Sequence, residues 1–167
     1  MQCRRFFGSA LQLVILVSLL VCGTLIAQQP SEDKGWVRGS GGYSKGYLDE
    51  PGGLTVAGSV GVRLIGKWSI EPEVSWVSGE RFEFTQVAAN LIYRLGDPGK
   101  RASWYPIVGI GYLREFDKAI DYSSGGMVLY GGFGARMSVS GRLFVAPEFR
   151  FGVHTIPRLT VSVGYDF

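Results

Sequence analysis

His154 is the only histidine and so the one imidazole that could act as a general base near neutral pH. Acyl hydrolysis would also need a hydroxyl nucleophile within its reach. Thr155 and Ile156 follow it, no serine stands close behind, and a polar loop residue is the better reading. Asp117, Lys118 and Asp121 read as a solvated loop. The stretch "GSGGYSKG", residues 39–46, has glycines and a lysine but lacks the strand–helix context of a phosphate site. Both cysteines, Cys3 and Cys22, stand near the N-terminus, and no cluster has metal-ligand spacing, so neither metal nor cofactor is expected. What remains are single charges at separated positions: Arg63, Glu71, Glu73, Arg94, Arg136, Glu148, Arg150, Arg158 and Asp166. Their available chemistry is mutual ion pairing. That requires a scaffold that turns all of them toward one space.

Apolar residues recur at every second position, interrupted by clusters of Gly, Pro, Asp and Ser, which is the mark of antiparallel strands. The pattern predicts eight: residues 35–44, 54–65, 69–77, 81–95, 103–116, 127–139, 142–153 and 158–167. In the second, Leu54, Val56, Val60, Val62 and Leu64 oppose Thr55, Ala57, Ser59, Gly61 and Arg63. In the seventh, Leu143, Val145, Phe149 and Phe151 oppose Ala146, Glu148, Arg150 and Gly152. One face is therefore large and apolar, the other small, polar or charged. The charges named above fall on the second face.

Residues 1–27 read as a secretory signal peptide: Arg4-Arg5, an apolar run from about Leu11 to Val21, and small residues ending at Ala27. A retained membrane anchor, twin-arginine export and lipidation at Cys22 are weaker alternatives, the last because Val21 is not small. Residues 28–34 form a short linker, and residues 35–167 make one domain. Cleavage leaves 15 basic against 14 acidic residues, no case for nucleic-acid binding, and removes both cysteines.

Which face points inward decides the class. A soluble barrel or sandwich buries the apolar face; a transmembrane barrel shows it to lipid and turns the polar face into the lumen. Most of the strands run 9–15 residues, against about 9–11 needed to cross a bilayer at a tilt and about 5–6 in globular sheets. The polar face is rich in Gly, Ser and Ala, which suits a crowded lumen. Trp68 and Trp76 bracket the third strand, roughly 19 Å apart along a membrane normal, as two aromatic girdles would be. With both termini on one side, the links there are short at Gly66-Lys67 and Ser140-Gly141, and longer loops fall opposite at 45–53 and 117–126. Pro72, Pro106 and Pro147 lack the N–H a closed ladder needs, so bulges near one rim are expected. Pairing Arg63 with Glu71 across a three-residue turn would make them lumen neighbours. The fold class is thus all-β: an eight-stranded antiparallel up-and-down transmembrane β-barrel.

The chain ends in "VSVGYDF", with Leu159, Val161, Val163, Tyr165 and Phe167 in one apolar file up to the final residue. Together with "YPIVGIGY" and "FVAPEFRFG", this resembles the small outer-membrane barrel family that includes the OmpA transmembrane domain, OmpX and the opacity proteins. The resemblance implies a Gram-negative outer-membrane location, contact with the bilayer and lipopolysaccharide, and reading of the last strand by the barrel-assembly machinery. A monomer is expected. It implies no activity, and no peptidoglycan-binding domain is expected after the barrel. Barrel lipid A deacylases carry a Ser closely after their His, a pattern His154 does not meet. The leading reading is a non-enzymatic structural or surface-interaction protein whose lumen is plugged by Arg and Glu. The alternatives are a lipid-modifying enzyme, a small-solute channel and a soluble lipocalin-like binder of apolar ligands.

Overall fold

The computed structural model describes residues 35–45, 52–96, 101–153 and 157–167. The signal and linker segments and His154 lie outside the described residues. Every regular element within them is a strand: β1 (Gly35–Ser44), β2 (Gly53–Arg63), β3 (Trp68–Ser78), β4 (Phe82–Tyr93), β5 (Ala102–Asp117), β6 (Tyr122–Ser140), β7 (Leu143–Val153) and β8 (Arg158–Asp166). Each pairs antiparallel with its neighbours in sequence, and β8 returns to β1 to form a closed barrel. Closure runs from Trp36 opposite Asp166 to Ser44 opposite Arg158. At the seam the Phe167 N–H donates to the Gly35 carbonyl at 3.0 Å, and the Gly35 N–H donates back to Phe167 at 3.3 Å.

Alternation sets the two faces. In β8, Arg158, Thr160, Ser162 and Gly164 are buried while Leu159, Val161, Val163 and Tyr165 are exposed. The same inversion holds in β5, where Trp104, Val108 and Ile110 are exposed while Ser103, Tyr105 and Ile107 are buried. Exposed apolar side chains wrap the wall; buried polar ones fill it. Only a barrel in an apolar surrounding gains from that order.

Three expectations are corrected. The segment 117–126 is not all loop. β6 begins at Tyr122, with Tyr122 opposite Asp117 and Ser124 opposite Glu115. The loop shrinks to Lys118–Asp121, and Asp121 takes a left-handed φ of 51°. The Gly- and Ser-rich start of β6 has weak strand propensity, and the ladder offered by β5 overrides it.

The second hairpin turns at Gly66-Lys67 as expected, with Gly66 at φ 61° and the Trp68 N–H donating to the Ile65 carbonyl at 3.1 Å. Its register differs by two residues: Arg63 stands opposite Ser69, and Val62 opposite Ile70. A two-residue shift preserves which side chains face inward, so alternation cannot detect it.

The prolines do not sit at bulges. Pro72, Pro106 and Pro147 are paired on one side, to Ala89, Phe133 and Val161. On the other side ladder pairs are missing, and the register then resumes unchanged. Two strands part locally where the N–H is lacking. The one register shift lies at Ser138/Ser140, beside the β6–β7 turn.

Candidate functional site

Four strands converge inside the barrel on one layer of charge. Arg38 comes from β1, Glu71 and Glu73 from β3, Glu148 and Arg150 from β7, and Arg158 from β8. None is more than 6% exposed. Arg38 Nη2 donates to Glu71 Oε1 at 2.6 Å, and Arg38 Nη1 pairs with Glu148. Glu148 Oε2 accepts from Arg150 Nε at 2.9 Å and from Nη2 at 2.6 Å. Arg150 Nη2 also reaches Glu73 Oε2 at 2.8 Å, and Arg158 Nη2 donates to Glu73 Oε1 at 2.5 Å. The chain thus reads Glu71–Arg38–Glu148–Arg150–Glu73–Arg158, three carboxylates alternating with three guanidinium groups. Charges this deep are tolerable only when paired and hydrogen-bonded.

Neutral groups complete the shell. Trp36 Nε1 donates to Glu71 Oε2 at 2.8 Å, and the Tyr105 hydroxyl donates to Glu148 Oε1 at 2.8 Å. Arg38 Nε donates to Ser59 Oγ at 3.2 Å. Gly61 makes room for this arrangement, since a Cβ there would overlap the Trp36 ring. The Tyr130 hydroxyl donates to Asn90 Oδ1 at 2.6 Å.

Apolar side chains cluster inside the barrel on either side of the layer, an arrangement the small, polar inner face did not foretell. Toward the termini, Trp36, Ile92, Tyr105, Ile107, Phe144 and Ala146 form one cluster. The Arg136 guanidinium lies 3.6 Å from the Phe144 ring centroid and pairs with Asp166. Toward the opposite mouth, Val77 and Phe84 pack with Phe82 and Leu113. A cavity of about 20 Å³, room for a single water, lies between that cluster and Arg150 and Arg158. Among the described residues, buried Gln86 Nε2 and Arg150 Nη1, both beside this cavity, have no protein hydrogen-bond partner.

Of the charges singled out in the sequence, Glu71, Glu73, Glu148, Arg150 and Arg158 stand in this layer, and Arg136 and Asp166 pair at the terminal mouth. Arg63, placed next to Glu71 by the expected hairpin register, is half-buried opposite Ser69, and Arg94 follows the end of β4 with its N–H donating to the Lys67 carbonyl at 2.9 Å. Arg38, Trp36 and Tyr105 were not anticipated. β1 carries glycines at 35, 39, 41 and 42, so its alternation is faint, but Trp36 and Arg38 share the parity of one inner face.

On the outside, Trp68 is 45% and Trp76 43% exposed. Trp68 stands with its ring centroid 4.7 Å from that of Tyr93. Trp104, Tyr165 and Phe167 are exposed near the same end, and Tyr43 and Tyr112 near the other. Leu159, Val161, Val163, Tyr165 and Phe167 are all 38–60% exposed on this outer wall. No group of three or more His, Cys, Asp or Glu among the described residues could hold a metal ion.

No protein-family model matches the chain. No curated protein matches it either. Solved structures do. Neisserial surface protein A aligns over 83% of this chain and all of its own, with 15% identity and a TM-score of 0.65. The N-terminal β-barrel domain of Pseudomonas aeruginosa OprF aligns over 81% of this chain and all of its own, with 14% identity and a TM-score of 0.63. A major outer membrane protein from Thermus thermophilus aligns over 82% of this chain and all of its own, with 11% identity and a TM-score of 0.62. At these identities the likeness establishes the fold: the closed eight-stranded barrel shared by small outer-membrane proteins.

Proposed function

We propose that this chain is exported through a cleaved signal peptide, residues 1–27, and spans an outer membrane as a closed, non-enzymatic barrel with structural or surface-interaction duties. The observation that carries the reading is the outer wall. An apolar belt running around the closed barrel lies between aromatic residues at both ends, Trp68 and Trp104 on one side, Trp76 and Tyr112 on the other. In water that surface would far exceed the apolar patches soluble proteins tolerate. The likeness in fold to outer-membrane barrels adds support.

The lumen is read as plugged. An eight-stranded barrel has an interior just wide enough for side chains to fill. Here a neutral Arg–Glu layer lies between two apolar clusters, which favours a packed core over a conducting path. Assembly is read as starting from the last strand, whose apolar file ends at Phe167, on the barrel-assembly machinery.

Fractionation with heat-modifiable gel mobility is the primary test. The chain should sediment with membranes, need detergent for release, and migrate differently before and after boiling. Release into aqueous buffer would overturn the membrane reading in favour of a soluble binder of apolar ligands. A planar-bilayer recording of the folded protein should be silent; stable unitary conductance would overturn the plugged lumen.

A further inference from the structure

Among the described residues the two mouths of the barrel differ in charge. On the side of the termini, the strand ends and turns carry Arg63, Lys67, Arg94, Arg101 and Arg142, beyond the Arg136–Asp166 pair. Asp166 is the one side-chain carboxylate among the described residues at that mouth. At the opposite mouth, among the described residues, Glu80, Glu83, Glu115, Asp117 and Asp121 stand against Lys45, Arg81, Arg114 and Lys118; there Arg81 Nη2 pairs with Asp117 Oδ2 at 3.2 Å, and Lys118 Nζ with Glu83 Oε1 at 3.0 Å.

The basic residues of the terminal mouth are also placed against interfacial aromatics. Lys67 directly precedes exposed Trp68, and Arg94 directly follows Tyr93, whose ring packs on Trp68. Arg101 precedes exposed Trp104 by three residues. Arg142 Nη1 donates to the Tyr165 hydroxyl at 3.4 Å. Lys67, Arg101 and Arg142 are exposed. Aromatic belts sit at the level where acyl chains give way to headgroups. Long cationic side chains one step beyond reach the phosphates and keep their stems on apolar surface.

From this geometry we infer that the terminal rim is a binding surface for anionic phospholipid headgroups of the leaflet on that side. The inference rests on the membrane-spanning reading above. The rim selects acidic over zwitterionic lipids through the net positive charge of its described residues beside the aromatic belt, and it biases the barrel's orientation and its annular lipid.

The test uses folded full-length mature barrel in detergent, incubated with an equimolar mixture of phosphatidylglycerol and phosphatidylcholine of identical acyl chains. Native mass spectrometry then counts retained lipids. Phosphatidylglycerol adducts should exceed phosphatidylcholine roughly fivefold, the effect of about one surface cation's interaction. The triple variant K67Q/R101Q/R142Q should lower the ratio to under about twofold, whereas R81Q/K118Q on the opposite rim should leave it unchanged. Equal retention by the unmodified barrel, survival of the preference in the triple variant, or equal loss in the opposite-rim variant would each overturn the inference. Displacement of the adducts by millimolar inorganic phosphate would reassign the rim to free phosphate and also overturn it. Heat-modifiable mobility is read on every sample. A chain that never folds with lipid or detergent refutes the membrane reading, while a folded barrel without lipid preference refutes only the headgroup surface.

Discussion

Replacing Arg38 by methionine should be among the most damaging single changes inside this barrel, and Glu71→Gln should repair part of it. Arg38 is the cation between two carboxylates, donating to Glu71 Oε1 at 2.6 Å and pairing with Glu148. Methionine fills much of the space but leaves three buried carboxylates facing two guanidinium groups. Glu148 keeps two bonds from Arg150 and one from Tyr105. Glu71, which is 0% exposed, keeps only Trp36 Nε1 at 2.8 Å and a distant Arg150 at 4.0 Å. Breaking a buried ion pair by removing one partner costs about 3–5 kcal/mol, because the other charge is left uncompensated. In R38M/E71Q the layer returns to two against two, and the glutamine can still accept from Trp36. The double variant should therefore be about 1–2 kcal/mol more stable than R38M alone, where additivity would make it less stable by whatever E71Q costs by itself. Urea titration of protein refolded in lipid vesicles, followed by tryptophan fluorescence and gel mobility, measures both. A cost below about 1 kcal/mol for R38M, or strict additivity in the double variant, would refute the claim that alternating charge governs this core.

Gly61→Ala should destabilise the barrel by about 1–3 kcal/mol, since the added methyl meets the Trp36 ring that Glu71 holds in place; W36L in the same chain should restore most of the loss in the same titration. Deleting Phe167 removes two backbone bonds at the β1–β8 seam, a loss of about 1–3 kcal/mol on refolding in vitro. In cells, membrane-assembled protein should fall much further than that loss accounts for, and a parallel decrease in the two assays would argue against a role for the terminal aromatic in assembly. His154→Ala should leave lipid A acylation unchanged when lipid from producing cells is compared by mass spectrometry. A changed acylation pattern would revive the lipid-modifying reading.

What the sequence discloses here and what it withholds follow one physical line. Alternation is local: Leu159, Val161, Val163 and Tyr165 share a face because successive side chains of any strand point to opposite sides. Strand number and the apolar outer file were therefore legible from the chain. So were the charges at 71, 73, 148, 150 and 158, which share the inner face. Register is not local. Arg63 opposite Ser69 and Arg63 opposite Glu71 obey the same parity, and the choice between them belongs to the turn at Gly66. The missing ladder pairs beside Pro72, Pro106 and Pro147 likewise depend on how a neighbouring strand accommodates a lost donor.

Partnership is the least local property. Arg38 lies 33 residues from Glu71 and 110 from Glu148, and it meets them only because β8 closes on β1 and brings β1, β3 and β7 to one cross-section. Sequence by itself determined a closed wall, apolar outside and charged within. Which charges neutralise one another, and where Phe144, Ile107 and Phe84 pack around them, was decided by a curvature and stagger that exist only once the barrel is shut.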